Sequence, residues 1–264
     1  MPTTLFDRCL DWFNAHVKQH GHLAGPDIPL IQRKKRHTMR VLTHAREIIK
    51  GSGANPELGA AVEIATLLHD VGRFPQIVGA RSYDDTTGFN HAEAGAQILL
   101  ETDLLDPLSP ENRDVILSAV KYHNRATMPD NLSPDALLAL EILRDADKLD
   151  AIRNNLKYLD PEALHGKMLK SGLTWHESNV SPDVIELTMN RQLVPFKAIN
   201  WSNDFILFMC CWIYDLHFTY AFSQLKESGN FEKLLAKLPD TEPLAKAKAQ
   251  LRDDLDWIIV KSQP

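Results

Sequence analysis

The sequence predicts an all-α fold, and three observations carry that prediction. Apolar residues recur at three- and four-residue spacing through nearly every ordered stretch. No two alternating runs are joined by a hairpin turn, and no βαβ pattern occurs. The breaks between periodic stretches are turn-forming, as in "GSGANP", "DPLSPEN" and "MPDNLSP". Helices are expected over 3–20, 31–50, 56–70, 90–102, 110–124, 134–150, 181–192, 202–227, 229–237 and 241–261. Several open on a cap, with Asn55 before Pro56 and Ser133 before Pro134. The least periodic stretch is 159–182, which reads as an irregular excursion over one face. There is no internal repeat. One domain over 1–264 is expected: a helical core at about 31–152, the excursion, and a C-terminal helical extension at about 183–264.

Composition narrows the function classes. The chain of 264 residues is 44% hydrophobic and 24% charged, enough to bury a sizeable core. Its formal net charge of −6 offers no general footprint for a nucleic-acid polymer or an anionic membrane. The local exception is "RKKR" at 33–36, three of whose four charges are expected on the solvent face of a helix. The N-terminus has no basic region followed by an apolar stretch, so no signal peptide is expected. The longest apolar run, Phe205 to Tyr214, is too short to span a bilayer and reads as a buried helix. Cys9, Cys210 and Cys211 form no CxxC pair, which points to a reducing cytoplasm.

The polar residues on the apolar faces are the informative ones. In helix 31–50 the stripe Val41, Ala45, Ile48 is continued by His37. In helix 90–102 the stripe Ala94, Gly95, Ile98, Leu99 begins at His91. The line Ile116, Ala119, Val120 ends at His123, and the line Leu140, Leu143 ends at Asp147. Helix 56–70 is apolar almost all round and ends at His69 and Asp70. A single histidine on an apolar face is usually a hydrogen-bonded core residue. Six such residues on five helices are satisfied together by one cluster around metal, since imidazole nitrogen and carboxylate oxygen are ligands of zinc, iron, manganese, cobalt and nickel. A cation would neutralise the buried Asp70 and bind His69, either of which is costly to bury alone.

The segments "HTMRVLTHA", "LLHDVGRF" and "LRDADKLDAI" resemble the HD-domain superfamily of metal-dependent phosphohydrolases, over roughly residues 31–152. The resemblance implies a helical bundle with His37, His69, Asp70 and Asp147 around one metal. His91 in "NHAEAG" and His123 in "KYHNR" resemble the subfamilies in which two further histidines complete a second site, with Asp70 bridging both. Of the three acids in "DADKLD", Asp147 matches the family's ligand and extends the Leu140–Leu143 line, whereas Asp145 sits on another face and Asp150 one turn further on.

Such a site uses one or two divalent transition metals to lower the pKa of a bound water and supply hydroxide. Asp70 and Arg73 are the expected catalytic residues. Arg40, Arg73, Arg125 and Lys148 are the candidate cations for phosphoryl oxygens, each weighed against a solvated surface role. The expected substrate is a small phosphorylated molecule or nucleotide. Members of the superfamily with the same six ligands resemble di-iron oxygenases, and a sensory module with a structural metal is a third reading. The chain has no "GYP" tripeptide and none of the added domains of alarmone synthetase-hydrolases, so the small generic HD hydrolase is the nearest match.

The remaining histidines carry weaker expectations. His16 and His20 are expected to be exposed, His44 to stand behind the ligands at most, and His217 to be a satisfied core residue. His165 and His176 fall in the irregular stretch. The segment "SNDFILFMCCWIYDLHFTYAF" reads as packing that covers the site or forms a homodimer surface.

Overall fold

The computed structural model describes residues 4–81, 83, 85, 88–159 and 173–262. Among these residues the fold is all-α, with no strand beyond an isolated bridge between Thr174 and Trp201. The chain divides into two compact units, Met1–Asp147 and Lys148–Pro264, so the boundary falls inside one long helix. No helix among the described residues is long and apolar enough to cross a membrane.

The first unit contains α1 (Leu5–Leu23), α2 (Ile28–Gly51), α3 (Pro56–Leu68), α4 (Arg73–Ala80), α5 (His91–Leu100) and α6 (Pro110–Tyr122), with the opening part of α7 (Pro134–Asn155). Helix starts are fixed by side-chain caps. Asn55 accepts from the Leu58 amide at 2.9 Å, Ser109 from Asn112 at 3.2 Å, and Ser133 from Ala136 at 3.2 Å. Asn90 accepts from Ala92 and Glu93, which makes His91 the first residue of α5. Helix α3 is buried nearly all round and packs against α1, α2 and α6. Phe13, Leu42, Leu67, Leu68, Phe74 and Ile116 are fully buried there.

The sequence reading did not separate α4 from its surroundings. Helix α3 stops at Leu68, a turn carries His69 to Gly72, and α4 leaves at Arg73. Gly72 makes this turn. A Cβ at that position would lie 2.1 Å from the His91 carbonyl oxygen and 2.7 Å from the Gly95 amide nitrogen. The absence of a side chain therefore lets the His-Asp turn touch the first turn of α5, which brings His91 next to Asp70.

The second unit contains α8 (Pro182–Met189), α9 (Ser202–Cys210), α10 (Thr219–Glu227), α11 (Asn230–Leu235) and α12 (Glu242–Ser262) around a core that includes Leu207, Met209, Phe231 and Leu251. The single helix expected over 202–227 is broken: a 3-10 segment runs Cys211–Asp215, and Leu216 and Phe218 are extended. The Asp215 carbonyl, which would accept from residue 219 in an unbroken helix, accepts instead from Lys148 Nζ. Of the irregular stretch, 160–172, with His165, lies outside the described residues. Its described end is tied down by Asp204, whose buried carboxylate accepts from the backbone of Ser181, Asn200 and Trp201 and from the Ser181 hydroxyl.

Candidate metal centre

The first unit gathers His37, His69, Asp70, His91, His123 and Asp147. Five of them form two triads sharing one residue, His37–His69–Asp70 and Asp70–His91–His123, all buried. Asp70 is 2% exposed and divides its two oxygens between them. Oδ2 lies 3.4 Å from His37 Nε2 and 3.2 Å from His69 Nε2; Oδ1 lies 3.4 Å from His91 Nε2 and 4.0 Å from His123 Nε2. Asp147, partly exposed, joins the first triad through His37 Nε2 at 3.0 Å.

Each ring is aimed by a partner on its other nitrogen. His69 and His123 follow the last residues of α3 and α6, where helix carbonyls lack intrahelical donors. His69 Nδ1 donates to the Thr66 carbonyl at 2.7 Å, and His123 Nδ1 donates to the Val120 carbonyl at 2.8 Å, the same three-residue step in both. A carbonyl can only accept, so these rings carry their proton on Nδ1 and present a lone pair at Nε2. His91 Nδ1 donates to Asp85 Oδ2 at 2.7 Å.

This arrangement lacks protons where protein atoms alone would need them. His91 Nε2 and His123 Nε2 are 3.0 Å apart, and both are lone-pair atoms. His69 Nε2 is buried, makes no hydrogen bond and faces a carboxylate oxygen. Burial pushes the His91 pKa down to about 4 and the His123 pKa well below its usual value, so neither ring is an imidazolium at neutral pH. A metal at 2.0–2.1 Å from each nitrogen would set neighbouring ligand atoms about 2.9–3.4 Å apart. Most of the separations within each triad lie in that range. The residues present fit a divalent ion in each triad.

The carboxylates are ionised. Burial alone would raise Asp70, but the Lys34 ammonium beside it outweighs this and holds the carboxyl well below the ordinary value. Burial likewise acts to raise Asp147, and His37, whose Nε2 stands 3.0 Å from Oδ1, brings it below the ordinary value. Asp85, also opposed by burial, is held at about 2 by His91 and Arg73.

The candidate cations are placed unevenly. Arg73 sits in the centre, with Nε 3.6 Å from Asp70 Oδ1 and its other nitrogens on Asp85, the Tyr83 carbonyl and Gln76. It braces two carboxylates. Arg40 is half-buried on α2. Arg125 is exposed, pairs with Glu93 at 2.7 Å and lies over the Tyr122 ring. Lys148 belongs to the second unit and pairs with Asp215 at 2.6 Å.

Three residues of the centre were missed in the sequence. Asp85 accepts from His91, Arg73, Gln76 and Asn124, and so orients a ligand from behind. Lys34, inside "RKKR", pairs with Asp70; its position three residues before His37 on one helix face was the available signal. His16, expected in solvent, is instead partly buried and donates from Nε2 to the carbonyl of Val71, the residue after Asp70. The aromatic neighbours Trp12 and Phe74 enclose its ring.

Comparison with known proteins adds one result. No curated protein and no solved structure matches the chain. The family model described as HD domain matches residues 35–152, a span that contains the five residues of the two triads and Asp147. Residues 35–152 match the HD-domain family model, and the buried His/Asp cluster, with His69 and Asp70 as its adjacent pair, is consistent with an HD-type metal site.

Proposed function

We propose that this protein is a metal-dependent phosphohydrolase acting on a phosphomonoester or a nucleotide phosphate. The observation that carries the reading is Asp70, one buried carboxylate presenting a separate oxygen to each of two histidine pairs. These residues would hold one or two divalent ions, with Asp70 shared between the two groups and Asp147 beside the first. A divalent metal bound by these residues would supply hydroxide from a water of lowered pKa, so no serine or cysteine nucleophile would be needed.

The chain's own residues would hold and orient. His37, His69, Asp70 and Asp147 form one group, and His91 and His123 complete the other. Asp85 and the carbonyls of Thr66 and Val120 fix which nitrogen each ring presents. Arg73 keeps Asp70 and Asp85 in register and places positive charge beside the centre, where phosphoryl oxygens would gather.

The test is elemental analysis of chelator-free protein, with phosphate release from a panel of phosphomonoesters and nucleotides, beside the His69→Ala/Asp70→Ala double variant. About two equivalents of a transition metal and metal-dependent phosphate release, both lost in the variant, are expected. Bound iron with oxygen consumption and no phosphate release would replace this reading by the oxygenase one. Metal without turnover on the whole panel would favour a sensory role.

A further inference from the structure

The proposed reaction leaves one cation at the centre without a role. Lys34 lies on α2 and its ammonium pairs with Oδ2 of Asp70. That is the oxygen toward which His37 and His69 also aim. An ammonium and a divalent ion would meet the same carboxylate oxygen and repel each other there. The Lys34 side chain is 17% exposed, so it is held at the centre rather than dissolved in water.

The same ammonium also faces an aromatic ring. The Tyr83 ring centroid is 5.8 Å from Lys34 Nζ, and the guanidinium carbons of Arg33 and Arg73 stand 5.6 and 6.0 Å from the same ring. Attraction of a cation to an aromatic face gives the ammonium somewhere to rest beside Asp70. A lysine stem has four rotatable bonds and carries a point charge, so it can swing without moving its helix. Arg73, bonded to Asp85, Gln76 and the Tyr83 carbonyl, is fixed by comparison.

We propose that Lys34 is a displaceable counter-cation. It neutralises Asp70 while no metal is bound; once a divalent ion takes Oδ2, it becomes the cationic contact for the substrate's anionic group. The first role rests on geometry alone, and the second rests on the phosphohydrolase reading. Loading the centre and creating the anion site are then one event, because the displaced ammonium is the charge that receives the phosphoryl group.

The experiment uses the full chain as wild type, Lys34→Met and Lys34→Arg. Calorimetry measures Mn²⁺ binding first, then inorganic phosphate binding to the Mn²⁺-loaded protein, with thermal melting as a check on folding. Lys34→Met is expected to bind Mn²⁺ about tenfold more tightly, since a competing charge is gone. It is expected to bind phosphate about tenfold or more weakly, the size of a lost hydrogen bond to a charged group. Lys34→Arg should retain most of the phosphate affinity. Shifts of opposite sign are the signature, because a merely structural lysine would weaken both and a bystander would move neither. Either of those results overturns the proposal. If the wild type binds Mn²⁺ but no phosphate, the phosphohydrolase reading and the second role fall together, while the Mn²⁺ comparison still decides the first.

Discussion

His91 Nε2 and His123 Nε2 stand 3.0 Å apart with both rings protonated on the far nitrogen, His91 toward Asp85 and His123 toward the Val120 carbonyl. Two lone pairs at hydrogen-bond distance repel, and Asp70 Oδ1 beside them adds negative charge. A cation between these atoms would relieve that repulsion. Binding of metal to the native state alone should raise stability. At one hundred times Kd the gain is about 2.7 kcal/mol, or roughly 5–10 °C in Tm for a unit of this size. Differential scanning fluorimetry with and without Mn²⁺ checks it, and no shift with any transition metal would remove the ligand argument.

Asp85 sets the orientation of one histidine only. Asp85→Asn keeps the size of the side chain but removes the charge that His91 Nδ1 and Arg73 share. Metal affinity of the His91–His123 half is expected to fall about 10–100-fold, while the His37–His69 half keeps its ion. Titration should show one of two equivalents weakened, and equal weakening of both would assign Asp85 to general stability instead.

Gly72 tests the contact that joins the halves. In Gly72→Ala the new methyl would have to displace backbone, the His91 carbonyl at 2.1 Å and the Gly95 amide at 2.7 Å. Overpacking of this kind costs about 1–3 kcal/mol or more, and the displacement moves His91 away from Asp70. Lower Tm together with loss of the second metal equivalent is expected; a variant with both metals and wild-type Tm would mean that the turn adapts freely.

His16, which is not itself a ligand, gives a pH dependence of stability. Burial lowers its pKa to about 4, against the hydrogen bond to Val71 that favours its charged form. The unfolded chain takes up this proton near pH 6.5 and the folded chain only near pH 4, so stability is present above about 6.5 and is lost as pH falls from there to about 4. Each such proton contributes a slope of up to about 1.4 kcal/mol per pH unit. Urea unfolding of His16→Gln across that window should show a smaller loss than wild type, and an identical slope would place the burden on the other buried histidines.

The sequence alone determined the all-α class, the starts of capped helices and the ligand-type residues on inward stripes. Those features are local: periodicity of 3.6 residues marks one face whatever it packs against, and a polar residue on that face is visible in a short window. It also pointed to the matched HD segment, because the pair and its spacing are written in order along the chain. The tertiary structure decided how the ligands divide into two triads, with Asp70 common to both. It decided that Asp85 stands behind His91, that Lys34 leaves its charge run for Asp70, and that His16 reaches Val71 across 55 positions. It also broke 202–227, through a lysine 67 positions away that takes the Asp215 carbonyl. Except for Asp85 and His91, six positions apart, each of these contacts joins residues distant in sequence, and the energy that fixes it comes from burial, which no window of neighbouring residues contains.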